Sequence, residues 1–96
     1  MATRVEYHRK AFRQLETIAR GDRISARAIA DAIDKLEDEP RPHGCETLED
    51  KILRIRMRDY RVIYGLDEKE KRIVILKIAR HSEATYRGLE KLVKKI

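Results

Sequence analysis

Arg54, Arg56 and Arg61 are the side chains of this sequence whose type and spacing best suit chemistry. They lie in LRIRMRDYRVIY, residues 53–64, where charged and apolar positions alternate as a half-buried β-strand requires. A two-residue turn at Arg58-Asp59 pairs Met57 with Tyr60, Arg56 with Arg61, Ile55 with Val62 and Arg54 with Ile63. Leu53, Ile55, Met57, Tyr60, Val62 and Tyr64 then share an apolar face, and Arg54, Arg56 and Arg61 share the other. Arg56 and Arg61 stand opposite each other with Cβ atoms about 5 Å apart, an arrangement that costs stability for like charges. A bound anion relieves that repulsion, and guanidinium forks suit phosphate because they are planar and bidentate. The other reading is that these arginines spread into water or pair with Glu46, Glu49 or Asp50. Spacing alone leaves both open, and a one-residue bulge would re-aim Arg61.

A second group follows in ARHSEATYR, residues 79–87. Arg80 and His81 come at the end of an apolar strand, where loops commonly carry sites. Arg80 can add a positive group to the arginine face, and imidazoles such as that of His81 exchange protons near neutral pH. Against this, a histidine here is more often a surface or capping residue. Tyr86 either offers a polar tip to the site or begins the apolar stripe of a last helix. His8, His43 and His81 are widely separated, and with Cys45 they match no zinc spacing. No glycine-rich phosphate loop or motif nucleophile is present. The acidic residues fall on helix surfaces and in turns, so no Mg²⁺ site or other cofactor is indicated.

The elements that must position these residues follow from periodicity. TRVEY, residues 3–7, alternates like a short strand. Phe12, Leu15, Ile18 and Ala19 recur at helical spacing, and Gly21-Asp22 interrupts them. A second helix, capped in the Asp22–Ser25 region, runs to about Glu39 with Ile29, Ala32, Ile33 and Leu36 as its stripe. PRPHG, residues 40–44, ends the helices, and the segment to Lys51 has little pattern. The period then falls to two: strands over Ile52–Met57 and Tyr60–Leu66, a charged turn over 67–71, and a strand over Ile73–Ile78. The last strand is nearly continuous apolar, as expected of one covered on both faces. SEATYRGLEKLVKKI reads as a closing helix. The expected fold is α+β, in the order β-α-α-β-β-β-α. An antiparallel sheet carries a helical hairpin on one face and a C-terminal helix, and its other face can be polar and open.

Bulk properties fit one small domain over residues 1–96, with 42% apolar residues and no segment long enough to span a membrane. A single cysteine and no apolar leader at the start fit a reducing cytoplasm. The net charge of +6 lies entirely in residues 41–96, which hold 15 Lys and Arg against 9 Asp and Glu, whereas residues 1–40 balance at 8 each. Such a localised excess suits a polyanionic partner or, alternatively, is merely a basic solvated surface.

LRIRMRDYRVIYGLDEKEKRIVILKIARHSEATYR, residues 53–87, resembles the RelE/ParE superfamily of prokaryotic toxins. The DYRVIY hairpin, acidic turn, apolar strand and basic-His segment closing on Tyr-Arg carry the likeness. The helical hairpin and PRP loop fit in order and length. The resemblance implies a toxin of a toxin–antitoxin module. RelE-type members are ribosome-dependent, metal-independent endonucleases that cut mRNA in the A site, by attack of a ribose 2′-hydroxyl on the adjacent phosphate. By that resemblance Arg61 stabilises the phosphate, Arg80 serves the transferring or leaving phosphate, and Tyr86 stands near the nucleophile as a base. Arg54 and Arg56 occupy positions where some members carry lysine, and His81 one where many carry histidine. Arginine does not deprotonate, so Arg54 and Arg56 bind phosphate or lower the pKa of Tyr86, which as a free tyrosine would titrate near about 10. ParE-type members inhibit DNA gyrase on the same fold and generally lack this set. Either way an antitoxin is the implied partner, with ribosome and mRNA added for the RelE type.

Overall fold

The structure, a computed structural model, describes residues 3–81. Strand β1 (Arg4–Tyr7) leads into helices α1 (Arg9–Gly21) and α2 (Arg23–Lys35). Four strands follow: β2 (Glu46–Glu49), β3 (Ile52–Met57), β4 (Tyr60–Asp67) and β5 (Arg72–Arg80). They form one sheet in the order β1-β5-β4-β3-β2.

Both helix starts are written in the sequence. The His8 ring accepts a bond from the amide of Lys10 at 3.2 Å, and Asp22 Oδ1 accepts one from Ser25 at 3.0 Å. These caps satisfy amides that have no partner within the helix. In α1 the buried stripe starts at Ala11 rather than Phe12, which is half exposed and meets the Tyr7 ring edge-on at 5.8 Å. The small Ala11 side chain lets the helix sit close on the sheet, and Leu15 and Ile18 continue its stripe. Helix α2 stops at Lys35, short of Glu39. The run Glu37-Asp38-Glu39 would place three carboxylates at the negative end of the helix dipole.

Ala11, Ile29, Ile33 and Leu36 of the helical hairpin pack on Leu53, Ile55, Val62, Tyr64, Ile73, Ile75 and Ile78. Each leucine, isoleucine and valine among them contributes about 1.5–3 kcal/mol of transfer free energy. The predicted β3–β4 register holds at every rung, including Arg56 opposite Arg61. Arg58, with φ +57°, turns the hairpin. The buried run Ile73–Leu76 in β5 divides between both faces of the sheet, as its unbroken apolar character predicts.

Three expectations change. The sheet is mixed, not antiparallel, because β1 runs parallel to β5. Tight turns force antiparallel neighbours from β2 to β5, but β1 joins the edge with the rest of the chain between it and β5. The segment before Lys51 contributes a strand, β2, whose polar sequence ETLE suits an exposed sheet edge and gives no apolar alternation. The second face is not polar throughout: Ile52, Ile63, Val74 and Leu76 form a buried cluster there, with Leu48 against it. The predicted C-terminal helix, and Tyr86 with it, lies outside the described residues.

Candidate functional site

The β3–β4 hairpin brings Arg54, Arg56 and Arg61 to the sheet face away from the helices, and treats them differently. Arg54 is 7% exposed and ion-paired with Glu46, its direct neighbour across β2–β3. The pairing with the preceding segment thus holds for this arginine, and its charge is largely met within the fold. Arg56, one turn of the pleat nearer the hairpin tip, is exposed and makes no ion pair among the described residues.

Arg61 is half-buried. Its Nη1 donates to the backbone carbonyls of Tyr60 at 3.0 Å and Arg58 at 3.4 Å. Its Nε is buried and has no hydrogen-bond partner among the described residues. A guanidinium N–H without a partner costs free energy, of order 1–3 kcal/mol when fully desolvated. The Arg56–Arg61 rung therefore combines like-charge repulsion with an unmet donor. Both are relieved by an anion between the two side chains.

Beside this rung, a cleft of about 480 Å³ is lined by His43, Cys45, Glu46, Arg54 and Arg56, among others. His43 enters it from the PRPHG loop and Cys45 directly follows that loop, which is latched by the Tyr64 hydroxyl donating to Pro40 O at 2.7 Å. Sequence reasoning weighed His43 only as a metal ligand. Its place beside Arg56 depends on the β2–β3 pairing, which the polar β2 sequence does not announce. Among the described residues no cluster of three or more His, Cys, Asp or Glu side chains is placed to hold a metal.

Arg80 comes to the same end of the sheet but to its other side. It pairs with Tyr60, whose ring belongs to the helix-facing core, while Arg61 pairs with Ala79. The Arg80 guanidinium carbon lies 5.0 Å from the Tyr60 ring centroid, and Nη2 donates to the Tyr60 hydroxyl at 3.1 Å. Its Nη1 stands 3.9 Å from the exposed Asp59 carboxylate, a weak pair in water. The backbone amide of His81 donates to Asp59 O at 2.9 Å and extends the strand pairing past Arg80. Arg61 and Arg80 thus occupy adjacent rungs at the hairpin tip, on opposite faces.

The tip is held from the helix side. Arg58 Nε donates to the hydroxyl of Ser25, a buried residue at the start of α2, at 2.9 Å. Hydrogen bonds from Ser25, then the charges of Arg58 and Arg80, hold the Asp22 carboxyl below the usual carboxylate range.

Residues 5–85 match the model of a family described as the ParE toxin of type II toxin–antitoxin systems. The chain belongs to this toxin family. A comparison with proteins of curated function returned no match. Among solved structures it is similar to the archaeal RelE of a RelE–RelB complex from Pyrococcus horikoshii OT3. That similarity has a TM-score of 0.76 and 31% identity, covering 86% of this chain and 99% of the other. Free Escherichia coli RelE, in an arginine-mutant form, gives a TM-score of 0.76 at 15% identity, covering 100% of this chain and 99% of that one. The toxin of RelBE2 from Mycobacterium tuberculosis gives 0.70 at 22%, covering 84% and 100%. The latter two show the fold alone. This toxin therefore shares its architecture with RelE proteins across nearly its whole length, while the matching family model bears the ParE name. No helix among the described residues is long and apolar enough to cross a membrane.

Proposed function

We propose that this toxin is a RelE-type endoribonuclease of the cytoplasm, cutting mRNA in the ribosomal A site without a catalytic metal and so blocking translation. The observation that carries the reading is the Arg56–Arg61 rung, with its facing cations and the unmet Nε donor of Arg61. In the reaction a ribose 2′-oxygen attacks the adjacent phosphorus, the bond to the 5′-oxygen breaks, and a 2′,3′-cyclic phosphate and a 5′-hydroxyl result. One proton leaves the 2′-hydroxyl and one reaches the 5′-oxygen. Arg61 and Arg56 stabilise the charge that builds on the phosphoryl oxygens, and fixed donors are most effective at such points. Arg80, already oriented by Tyr60, serves the departing side at the hairpin tip. Proton transfer falls to Tyr86 or His81. Arg54, neutralised by Glu46, adds to the field rather than gripping phosphate directly.

Induced expression should arrest growth and produce codon-phased cleavage of mRNA, seen by mapping RNA 5′ ends. Arg61→Ala combined with Arg80→Ala should abolish cleavage and keep the fold. Intact transcripts in an arrested culture would overturn the reading.

One observation favours a second reading: the family model that matches carries the ParE name, so gyrase inhibition without nuclease activity is the alternative. Arrest with DNA-damage signalling and unbroken mRNA would select it. Under both readings the partner is a cognate antitoxin, as RelB is for the archaeal RelE and YefM for YoeB of Staphylococcus aureus.

A further inference from the structure

Strand β5 runs on past the end of β1. The parallel pairing covers Arg72–Ile75, and the amide of His8, donating to Ile75 O at 2.9 Å, closes it. Along β4, Ile63 meets Lys77 while Tyr64 meets Ile75, so Leu76 is an extra residue and forms a bulge. Beyond the bulge the His81 amide turns to β4, where Asp59 O accepts it, and the Ile78 amide turns outward to α1. Gln14 Oε1 accepts that amide at 2.8 Å. Ile78 is buried, so its amide needs an acceptor from within the protein. A side chain of α1 thus completes the sheet where β1 stops, two residues before Arg80.

The Arg80 side chain is held by a different residue. Tyr60 stands opposite it on β4 and is buried in the helix-facing core. Its ring centroid lies 5.0 Å from the guanidinium carbon, and its hydroxyl accepts from Nη2 at 3.1 Å. The Arg80 side chain is itself 67% exposed. An arginine so open to water otherwise samples many rotamers, and contact with both the face and the hydroxyl of an anchored ring restricts them. The acceptor is neutral. The charge of Arg54 is met by the Glu46 carboxylate, whereas a phenol orients Arg80 and leaves its positive charge in place. The exposed Asp59 carboxylate, 3.9 Å from Nη1, cancels little of it.

We propose that Tyr60 and Gln14 are positioning residues for Arg80 in mRNA cleavage: Tyr60 sets the direction of the guanidinium, and Gln14 sets the strand end that carries it. The inference rests on the ribonuclease reading and adds to it two residues that act through Arg80 rather than on RNA. A cation already in place stabilises developing phosphoryl charge better than a mobile one, because nothing has to reorganise during the reaction. If the two residues only held the sheet together, their loss would cost as much with Arg80 absent.

The test is single-turnover cleavage of mRNA on programmed ribosomes by the full chain, over a range of toxin concentrations. Tyr60→Phe keeps the ring and removes the hydroxyl. Gln14→Met keeps the length and removes the acceptor. Each is made alone and together with Arg80→Ala. Alone, each should lower the maximal rate about threefold to tenfold, the scale of one neutral hydrogen bond, and leave the half-saturating toxin concentration unchanged. Beside Arg80→Ala, neither should lower the rate further. Losses that persist undiminished beside Arg80→Ala overturn the proposal, as does the absence of any loss in the single variants. Proton NMR gives a readout without cleavage. The Arg80 δ-protons, shifted upfield by the Tyr60 ring, should move toward unshifted positions in Gln14→Met, and unchanged shifts overturn the part of Gln14. The same spectra decide if Arg80→Ala leaves no rate to compare. Should Gln14→Met fail to fold by circular dichroism, Gln14→Asn, which draws the acceptor back by one methylene, takes its place in both measurements. An unmodified toxin that leaves ribosomal mRNA intact overturns the ribonuclease reading and this assignment with it. A toxin that cleaves, with undiminished losses beside Arg80→Ala, overturns the assignment alone.

Discussion

Arg58 at the tip of the β3–β4 hairpin donates from Nε to the Ser25 hydroxyl at 2.9 Å, and through this bond the helices hold the candidate site. The Arg58 carbonyl in turn accepts from Arg61 Nη1 at 3.4 Å, and Ser25 itself is fixed by the Asp22 cap. Ser25→Ala removes one hydrogen bond and should cost about 1 kcal/mol in urea unfolding. Its effect on mRNA cleavage should exceed that cost, because Arg61 loses its orientation. Ser25→Thr should restore much of the activity. Equal losses in stability and rate would show the bond to be structural only.

Arg56 and Arg61 predict a trade of stability against function. Removing one of two facing like charges, as in Arg56→Ala, should raise stability by about 0.5 kcal/mol at low salt. The gain should fade as salt screens the pair. The same change should lower cleavage at least about tenfold, the scale of one lost transition-state donor. Thermal melts at two salt concentrations beside a primer-extension assay test both signs. A destabilised Arg56→Ala would mean that the rung is already neutralised within the fold.

The strand pairing that creates this rung was legible because LRIRMRDYRVIY offers one register that keeps six apolar side chains together, and that register is the one found. The helices were legible from their stripes, apart from the first position, where Ala11 takes the buried place expected of Phe12, and the earlier end of α2. Strand β2 was not, since an exposed edge strand needs no apolar alternation and ETLE has none. With β2 hidden, the partner of Arg54 remained one of three acids. The place of Arg80 was hidden differently. Its distance along the chain says nothing of which face it reaches, and only the Tyr60 rung assigns it to the helix side.

The Arg54–Glu46 pair predicts an asymmetry. Arg54 is 7% exposed, so deleting Glu46 takes an ion-pair partner from a guanidinium in a poorly solvated place. Glu46→Ala should cost about 1–3 kcal/mol, less than a fully buried pair because Glu46 is itself 57% exposed. Arg54→Met, which removes the charge and keeps the apolar stem, should cost less than Glu46→Ala. Denaturant melts of the two variants and their combination decide it. A double variant no better than Glu46→Ala alone would show that the loss is not a stranded charge.

Tyr64 makes the fold sensitive to alkali. Its ring is fully buried, its hydroxyl donates to Pro40 O at 2.7 Å, and burial pushes its pKa well above the usual tyrosine value. Burial, with a smaller contribution from the Asp34 charge, raises that of Tyr7 as well. A raised folded-state pKa means that the native protein keeps these protons at a pH where the unfolded chain has released them. The stabilisation is fully present below about pH 10, the unfolded value, and is lost as pH rises through the folded values. Urea midpoints should therefore be insensitive to these groups between pH 7 and about 9 and fall steeply above about 10. Tyr64→Phe should lower stability by about 1–2 kcal/mol at neutral pH, by leaving the Pro40 carbonyl without its donor. The same variant should lose part of the alkaline slope, because its side chain no longer titrates. An alkaline slope unchanged in Tyr64→Phe would mean that the phenol ionises without unfolding, and that the PRPHG latch opens locally first.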